Sequence, residues 1–381
     1  MNLLDRHIFK SVLLTCAAAV GIFAFILMLG NAVKDLLEYV LAGQLPLMTF
    51  ARLVLLLLPF VVSFALPLGM LTGVLLTLGR LSADSEITAM RAAGISLTRI
   101  ARPVILLGIL GMIAGLYVNF ESMPWARVQY HKELGEALRT NPMRLIVPKT
   151  FIRQFPGFVV YVGDKQGSIL SDIWVWQLDP EGRVSEFYRA ASGHVDYNPA
   201  ENDLILTATN AQVEKHDEKF PEDMNRLFLS TSGVYGPQHL PIDRIFGRGA
   251  NFRTKDAWLT YGALMEKRRE LALKIPTATD KKAAVLEEMK VRLTIQEKFN
   301  TAIAVFSLAL IGVPLGIKVS RRETFANFGV AVLLALGYYM MTVMVGWLDR
   351  HPEYRPDILF WLPNVVMLAL GAKLFGQIDR R

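Results

Sequence analysis

Cysteine is almost missing. Cys16 is the only one in 381 residues, so no disulfide can form within the chain and a disulfide-stapled secreted module is excluded. Charge is scarce as well. Lys, Arg, Asp and Glu make up 20% of the chain, against about 25% in ordinary soluble domains. Intrinsic disorder is excluded by a hydrophobic content of 52%. Familiar catalytic signatures are absent too. There is no Gly-x-x-x-x-Gly-Lys-Ser/Thr phosphate loop, no Gly-x-Ser-x-Gly elbow and no Cys-x-x-Cys. His7, His131, His194, His216, His239 and His351 are scattered, with no two at metal-ligand spacing. His194 and Asp196 share a face if they lie on a strand, but no nucleophile stands beside them, so the pair reads as an exposed polar contact. The chain is therefore expected to be non-catalytic, with no metal or cofactor of its own.

What the sequence does have is a polar middle between two hydrophobic ends. Most of the charged residues fall between Glu121 and Glu297. A membrane-crossing helix needs roughly 20 mostly apolar residues. The uncharged runs Ser11 to Val33, Leu53 to Gly79, Pro103 to Phe120, Phe299 to Ile317, Thr324 to Leu348 and Ile358 to Ala372 supply six candidates. Lys373 can snorkel and let the last run extend to Ile378. The expected spans are about 11–33, 53–79, 101–120, 299–317, 324–348 and 358–378. The first is too long for a signal peptide and no small-residue cleavage site follows it. Cys16 precedes most of that run, so it reads as a packed small residue rather than a lipidated anchor.

Lys and Arg near the span ends set the orientation. With the N-terminus in the cytoplasm, the inside set is Arg6, Lys10, Arg80, Arg91, Arg99, Arg102, Lys318, Arg321, Arg322, Lys373, Arg380 and Arg381. The short outside loops carry only Lys34, Arg52, Arg350 and Arg355. Both termini are then cytoplasmic, and residues 121–297 lie outside. The net charge of +7 is mostly this topological signal. The basic residues are dispersed and no binding motif accompanies them, so nucleic acid is not an expected partner.

The middle reads as short strands with turn punctuation. Phe158 to Val162, Ile173 to Leu178, Val184 to Tyr197 and Leu204 to Val213 are the expected strands, separated by Asp179-Pro180-Glu181-Gly182, Asn198-Pro199 and Asn202-Asp203. Trp125 to Arg139 reads as a helix continuing outward from the third span. Residues 256–274 and 280–297 read as helices broken at Pro276, the second leading into the fourth span. The expected fold class is a membrane α-helical protein of six transmembrane helices with an inserted all-β domain on the outer side, sandwich- or jellyroll-like. Its parts are residues 1–120, 121–297 and 298–381. Pro59 and Pro67 predict a kinked second span. Gly69 with Gly73, Gly111 with Gly115, and Gly312 with Gly316 predict close helix approach.

The loop Gly79 to Ser96 is the most informative segment. Ser82 or Asp84 can cap a short helix over about 83–94. Asp84 and Glu86 would sit in its first turn, Arg91 near its end, and Gly94 at a left-handed cap. Ile87, Met90 and Gly94 fall along one face. A helix this short is unstable alone in water, so something must pack on it. Glu86 has no Lys or Arg four residues on. Two readings stay open from physics: a helix docked in the groove of a cytoplasmic partner, with Glu86 paired to a partner's Arg, or a helix lying on the headgroups.

The segment Leu58-Pro59-Phe60, Ala65 to Gly69, and Leu78 to Ser96 closely resembles the LptF/LptG (YjgP/YjgQ) family of lipopolysaccharide-export permeases. Phe306 to Ile317, with Val313-Pro314-Leu315-Gly316 and the following Lys318, Arg321 and Arg322, resembles the family's fourth span and loop. The resemblance covers essentially the whole chain, weakly in the β region. It implies six membrane helices with a periplasmic β-jellyroll, in the bacterial inner membrane. Its implied partners are a sister permease or second copy, a cytoplasmic ABC ATPase dimer that binds ATP and Mg, periplasmic β-jellyroll bridge proteins, and lipopolysaccharide as cargo. The loop after span two is then the coupling helix, with Glu86 contacting the ATPase and Asp84, Ile87, Met90, Arg91 and Gly94 around it. Lys34, at the outer end of span one, resembles the family's basic residues that meet lipid phosphates. From physics alone a lone interfacial lysine is more often a snorkelling residue that marks the water boundary, and one such contact supplies only about 1 kcal/mol. Three other functions remain open: a permease of the same build for another lipid, a mechanotransmission protein, and a membrane-embedded glycolipid-modifying enzyme.

Overall fold

The computed structural model describes residues 3–32, 36–37, 40–41, 45–140, 146–152, 157–179, 182–198, 203–215, 228–241, 255–277, 281–318 and 324–379. The chain forms two compact units. One comprises Met1–Lys34, Val54–Gln129 and Thr254–Arg381; the other comprises Asp35–Leu53 and Tyr130–Arg253.

The first unit is a helix bundle. α1 (Leu3–Leu27) runs on through a π turn at Met28–Ala32, and α2 covers Leu47–Ala83. The short α3 (Glu86–Ala92) follows, then α4 (Leu97–Tyr117), a π turn at Val118–Ser122, and α5 (Met123–Thr140). The chain returns through α6 (Tyr261–Lys274) and α7 (Lys281–Lys318), then α8 (Thr324–Gly346), α9 (Pro356–Leu359) and α10 (Leu362–Asp379). Among the described residues six helical stretches are long and apolar enough to cross a membrane: Leu3–Gly30, Leu47–Ala83, Leu97–Ala137, Lys281–Ile317, Gly329–Asp349 and Pro356–Ile378. The second, third and fourth overrun the expected spans because charged or polar flanks continue the helix after the apolar run stops.

Pro59 and Pro67 lie inside α2 without ending it. Neighbouring groups can take over the carbonyls that such prolines free. The Tyr339 hydroxyl donates to the Phe64 carbonyl at 3.2 Å, one residue beyond Ser63, whose carbonyl faces Pro67. The paired glycines hold helices together. A Cβ on Gly73 would stand 2.5 Å from Cys16 Cα, and one on Gly69 would stand 2.3 Å from Val20 Cγ2, so α1 lies directly on α2 there. Gly316 meets α2 in the same way, 2.9 Å from Leu78 Cβ. Cys16 is thus the buried wall of a helix crossing.

The second unit carries a six-stranded antiparallel sheet in sequential order: β1 (Phe151–Ile152), β2 (Phe158–Gln166), β3 (Ile169–Leu178), β4 (Val184–Asn198), β5 (Asp203–Lys215) and β6 (Phe228–Pro241). The two outermost strands escape sequence reading. β1 is too short for a pattern, and β6 contains Gly233, Gly236 and Pro237, tolerable in an edge strand. Register assigns the faces. Val160, Val162, Ile173, Val175 and Ala190 are buried on one side. Phe151, Tyr161, Trp174, Trp176 and Phe187 form a ladder of ring contacts on the other, with the Arg189 guanidinium 4.8 Å from the Trp174 ring.

A crease crosses the sheet. Regular pairing skips Gly163 opposite Asp172, Asp172 opposite Ala191, Ala191 opposite Asn210, and Asn210 opposite Gly233. Asp172 and Asn210 are left-handed there, with φ of 53° and 55°. Beyond the crease the buried positions change phase by one residue, from Ile173 and Ala211 to Leu170 and Ala208. A left-handed residue in alternate strands lets every strand turn over together. Asn tolerates that conformation, whereas it costs a β-branched residue about 1–2 kcal/mol. Asn210→Val is therefore expected to loosen the second unit by about 1–2 kcal/mol and Asn210→Gly to leave it intact, measured by protease susceptibility of that unit in the full chain.

Candidate functional site

The site expected from sequence is the turn between α2 and α4. α2 continues to Ala83, so Asp84 falls in the turn and not in the first turn of the short helix. The expected cap is not formed. Ser85, at φ 64°, precedes Glu86 without a side-chain capping bond. Ser82 instead donates its hydroxyl to the Ile317 carbonyl at 3.0 Å, tying the end of α2 to the end of α7.

The C-terminal stop is formed fully. Gly94 takes φ 82°. Its N–H donates to the Arg91 carbonyl at 2.9 Å, and the Ile95 N–H donates to the Met90 carbonyl at 3.1 Å. This pair of hydrogen bonds is a Schellman stop, which needs a left-handed residue and favours apolar contact between the two flanking positions. Those positions are Ile95 and Met90, and both pack against the same cluster.

That cluster answers what packs on the short helix. Ile87 is 3% exposed. It sits with Ile8 and Val12 of α1, Leu78 and Leu81 of α2, and Ile100 and Ala101 of α4. Ile317 of α7 and Phe375 of α10 pack at its edge. The apolar stripe is thus consumed by the chain's own bundle. Asp84, Glu86, Thr88, Ala89, Arg91 and Gly94 remain exposed. Among the described residues neither Glu86 nor Arg91 makes an ion pair. A guanidinium nitrogen of Arg80 reaches Ser11 at 2.9 Å and fastens α2 to α1 beside the cluster.

At the other end of the bundle, α6 and α7 pack around Phe120 through Leu264, Val291 and Ile295. Two polar clusters here were not singled out from sequence. In the first, Lys298 donates to the carbonyls of Asn119 at 2.9 Å and Leu259 at 3.0 Å, while the Asn119 amide donates to the Lys298 carbonyl at 3.1 Å and its oxygen accepts from Ser63. In the second, Glu288 is paired with Arg268 and Arg292, each at 3.1 Å, and Arg292 reaches Asp357 at 3.2 Å. The spacing of Glu288 and Arg292 was a readable signal for one pair; the rest depends on helices distant in sequence. Between the two ends, Asn300, Ser307, Asn364 and Tyr338 bond one another across α7, α8 and α10. His194 and Asp196 contact each other at 2.9 Å and are exposed. Lys34 lies outside the described residues. No group of three His, Cys, Asp or Glu side chains able to hold a metal occurs among the described residues.

Comparison with known proteins covers nearly the whole chain. Residues 6–377 match the profile of the family described as "Lipopolysaccharide export system permease LptF/LptG". Among curated proteins, the "Lipopolysaccharide export system permease protein LptF" of Escherichia coli (strain K12) is 23% identical over 334 residues, covering 87% of this chain and 83% of that protein. The protein of the same description from Shigella flexneri matches with the same values.

The contrast between anchored and exposed positions is measurable. Ile87→Ala is expected to destabilise the purified permease by about 2–4 kcal/mol through a cavity in the cluster. Glu86→Ala, at an exposed position, should leave thermal unfolding in detergent unchanged.

Proposed function

The chain belongs to the LptF/LptG family of lipopolysaccharide export permeases, and on that premise we propose how its geometry serves export. It is a multi-pass membrane protein and a subunit of the lipopolysaccharide export transporter, which works as a complex with a sister permease and an ATPase. In the proposed arrangement α3 and both termini face the cytoplasm and residues 121–297 face the periplasm. This reading is supported by Arg6, Lys10, Arg80, Arg91, Arg99 and Arg102, exposed at the α3 end of the bundle.

One observation carries the coupling role. α3 is anchored through the buried Ile87 and offers exposed charge at its two ends, Glu86 and Arg91. A cytoplasmic ABC ATPase dimer, holding ATP and Mg, would grip the charged side. Because Ile87 and Met90 engage the ends of α1, α2, α4 and α7, displacement of α3 must carry those ends with it. This chain is then a non-catalytic wall, moved by a separate engine, that narrows the lipid cavity. Acyl chains cost about 0.8 kcal/mol per methylene to expose to water, so they leave only into another apolar surface. The buried aliphatic side of the sheet offers one, with β-jellyroll bridge proteins receiving the lipid beyond it. Lys34 would meet a lipid phosphate at the outer end of the first span.

Glu86→Lys, placing a cation where the partner's arginine is expected, tests the docking directly. Co-purification with the ATPase and lipopolysaccharide-stimulated ATP turnover should both fall by about tenfold or more. Unchanged assembly and turnover would remove Glu86 from the contact.

A further inference from the structure

We propose that Lys298, Asn119 and Ser63 form the joint that carries motion from the gripped end of the bundle into the two helices leading to and from the inserted unit. The inference rests on the coupling role assigned to α3 and names the residues that make the coupling reach across the membrane. These are positioning residues; none is assigned a contact with lipid.

The chemistry starts at the π turn Val118–Ser122. There the Met123 N–H donates back to the Val118 carbonyl. The next residue along, Pro124, has no N–H to give. The Asn119 carbonyl is thus left without a donor in its own helix, at a residue only 3% exposed. An unpaired buried carbonyl is destabilising, because it gives up its water without a replacement donor. Lys298 fills the vacancy at 2.9 Å and donates a second bond to the Leu259 carbonyl at 3.0 Å, just before α6. The ammonium also stands 5.6 Å from the Phe120 ring.

This is an expensive way to satisfy a carbonyl. Lys298 is 6% exposed, and among the described residues no carboxylate lies within ion-pair distance of it. Burying a charge carries a penalty that the two carbonyls, with the more distant carboxylates of Glu297 and Glu121, offset only in part. Ionisable residues at such depth are by default functional rather than decorative. What the arrangement achieves is a cross-link of four segments. Ser63 brings in α2, Asn119 the junction of α4 and α5, Leu259 the approach to α6, and Lys298 the body of α7. The bonds run both ways, since the Asn119 amide returns a bond to the Lys298 carbonyl at 3.1 Å. α2 and α4 are the two helices that α3 connects. α5 and α6 are the two through which the chain passes to the sheet and back. A displacement imposed on the first pair is handed to the second at this point, and π turns are recurrent sites of such functional adjustment.

The test uses the assembled transporter, with its sister permease and ATPase, in vesicles containing lipopolysaccharide. ATP hydrolysis and ATP-dependent transfer of lipopolysaccharide to the periplasmic bridge protein are measured together. Lys298→Met keeps an unbranched side chain one atom shorter and removes the donors. It is expected to leave the complex assembled and hydrolysing ATP, while lipid transferred per ATP falls about fivefold. A merely structural role would lower both rates in proportion with the amount of complex. If Lys298→Met does not assemble, Ser63→Ala is measured instead, and the same split in a milder form is expected. Proportional loss of both rates, or no change in either, overturns the joint. Failure of the docking reading shows up separately, as normal assembly of Glu86→Lys whatever Lys298→Met does.

Discussion

Hydrocarbon offers no water, so every polar group placed in it must find a partner inside the protein. Most features of the helix bundle follow from that constraint. It makes the spans helical, and it gives a use to groups such as the Tyr339 hydroxyl, which bonds the Phe64 carbonyl in the proline-containing helix α2. It also accounts for the polar clusters. Asn300, Ser307, Asn364 and Tyr338 come from three helices, and each is satisfied by the others. Such a cluster can assemble in only one rotational setting of α7, α8 and α10. Apolar packing alone is less selective, because lipid tails compete equally well for a leucine. Glycines supply the complementary force by letting backbones touch, as α1 does on α2 at Gly73.

How much of this was readable in the sequence depends on whether the deciding partner is near in the chain. The six spans were readable because the bilayer sets their length and forbids charge within them. Gly94 was readable as a stop because the left-handed requirement is local. The start of α3 was not, since Ser82 is drawn away from its capping role by the Ile317 carbonyl, a group remote in sequence. The stripe of Ile87 and Met90 was visible, but its partner was not. Periodicity shows that a face is apolar and says nothing about whose surface covers it. Lys298 was hidden for a related reason. It sits next to an apolar run, where a lysine ordinarily marks the water boundary, and only the meeting of α7 with the π turn reveals it as an internal donor.

The sheet obeys a different logic, because water is available to one of its sides. The strands were legible from apolar, β-branched runs such as Phe158 to Val162 bounded by turn residues. Strand alternation failed where the sheet folds over on itself. Asp172 and Asn210 interrupt the alternation by one residue, so a reader counting twos loses the face at the crease. β6 was lost to Gly233, Gly236 and Pro237, which read as loop and are permitted by an edge position. The crease and the weak edge strand are consistent with each other. A sheet that bends along a line across its strands needs small or left-handed residues on that line, and these are the residues that erase a strand signal.

The division of labour across α3 has a physical logic of its own. A helix of this length cannot hold its shape in water, so a docking element built from it must take its rigidity from elsewhere. Ile87 and the Schellman stop draw it from the bundle, leaving no slack between the exposed charges and the ends of α1, α2, α4 and α7. The outward side could have been apolar, and a docked apolar helix would hold its partner well. It would also leave a sticky patch on every unassembled copy. Charge at Glu86 and Arg91 avoids that, and it confers selectivity for a complementary surface more than raw affinity. In the coupling role proposed for α3, a handle that transmits force through many cycles is better served by a stiff mount and a specific grip than by a large greasy contact, and Ile87 buried with Glu86 exposed would supply both.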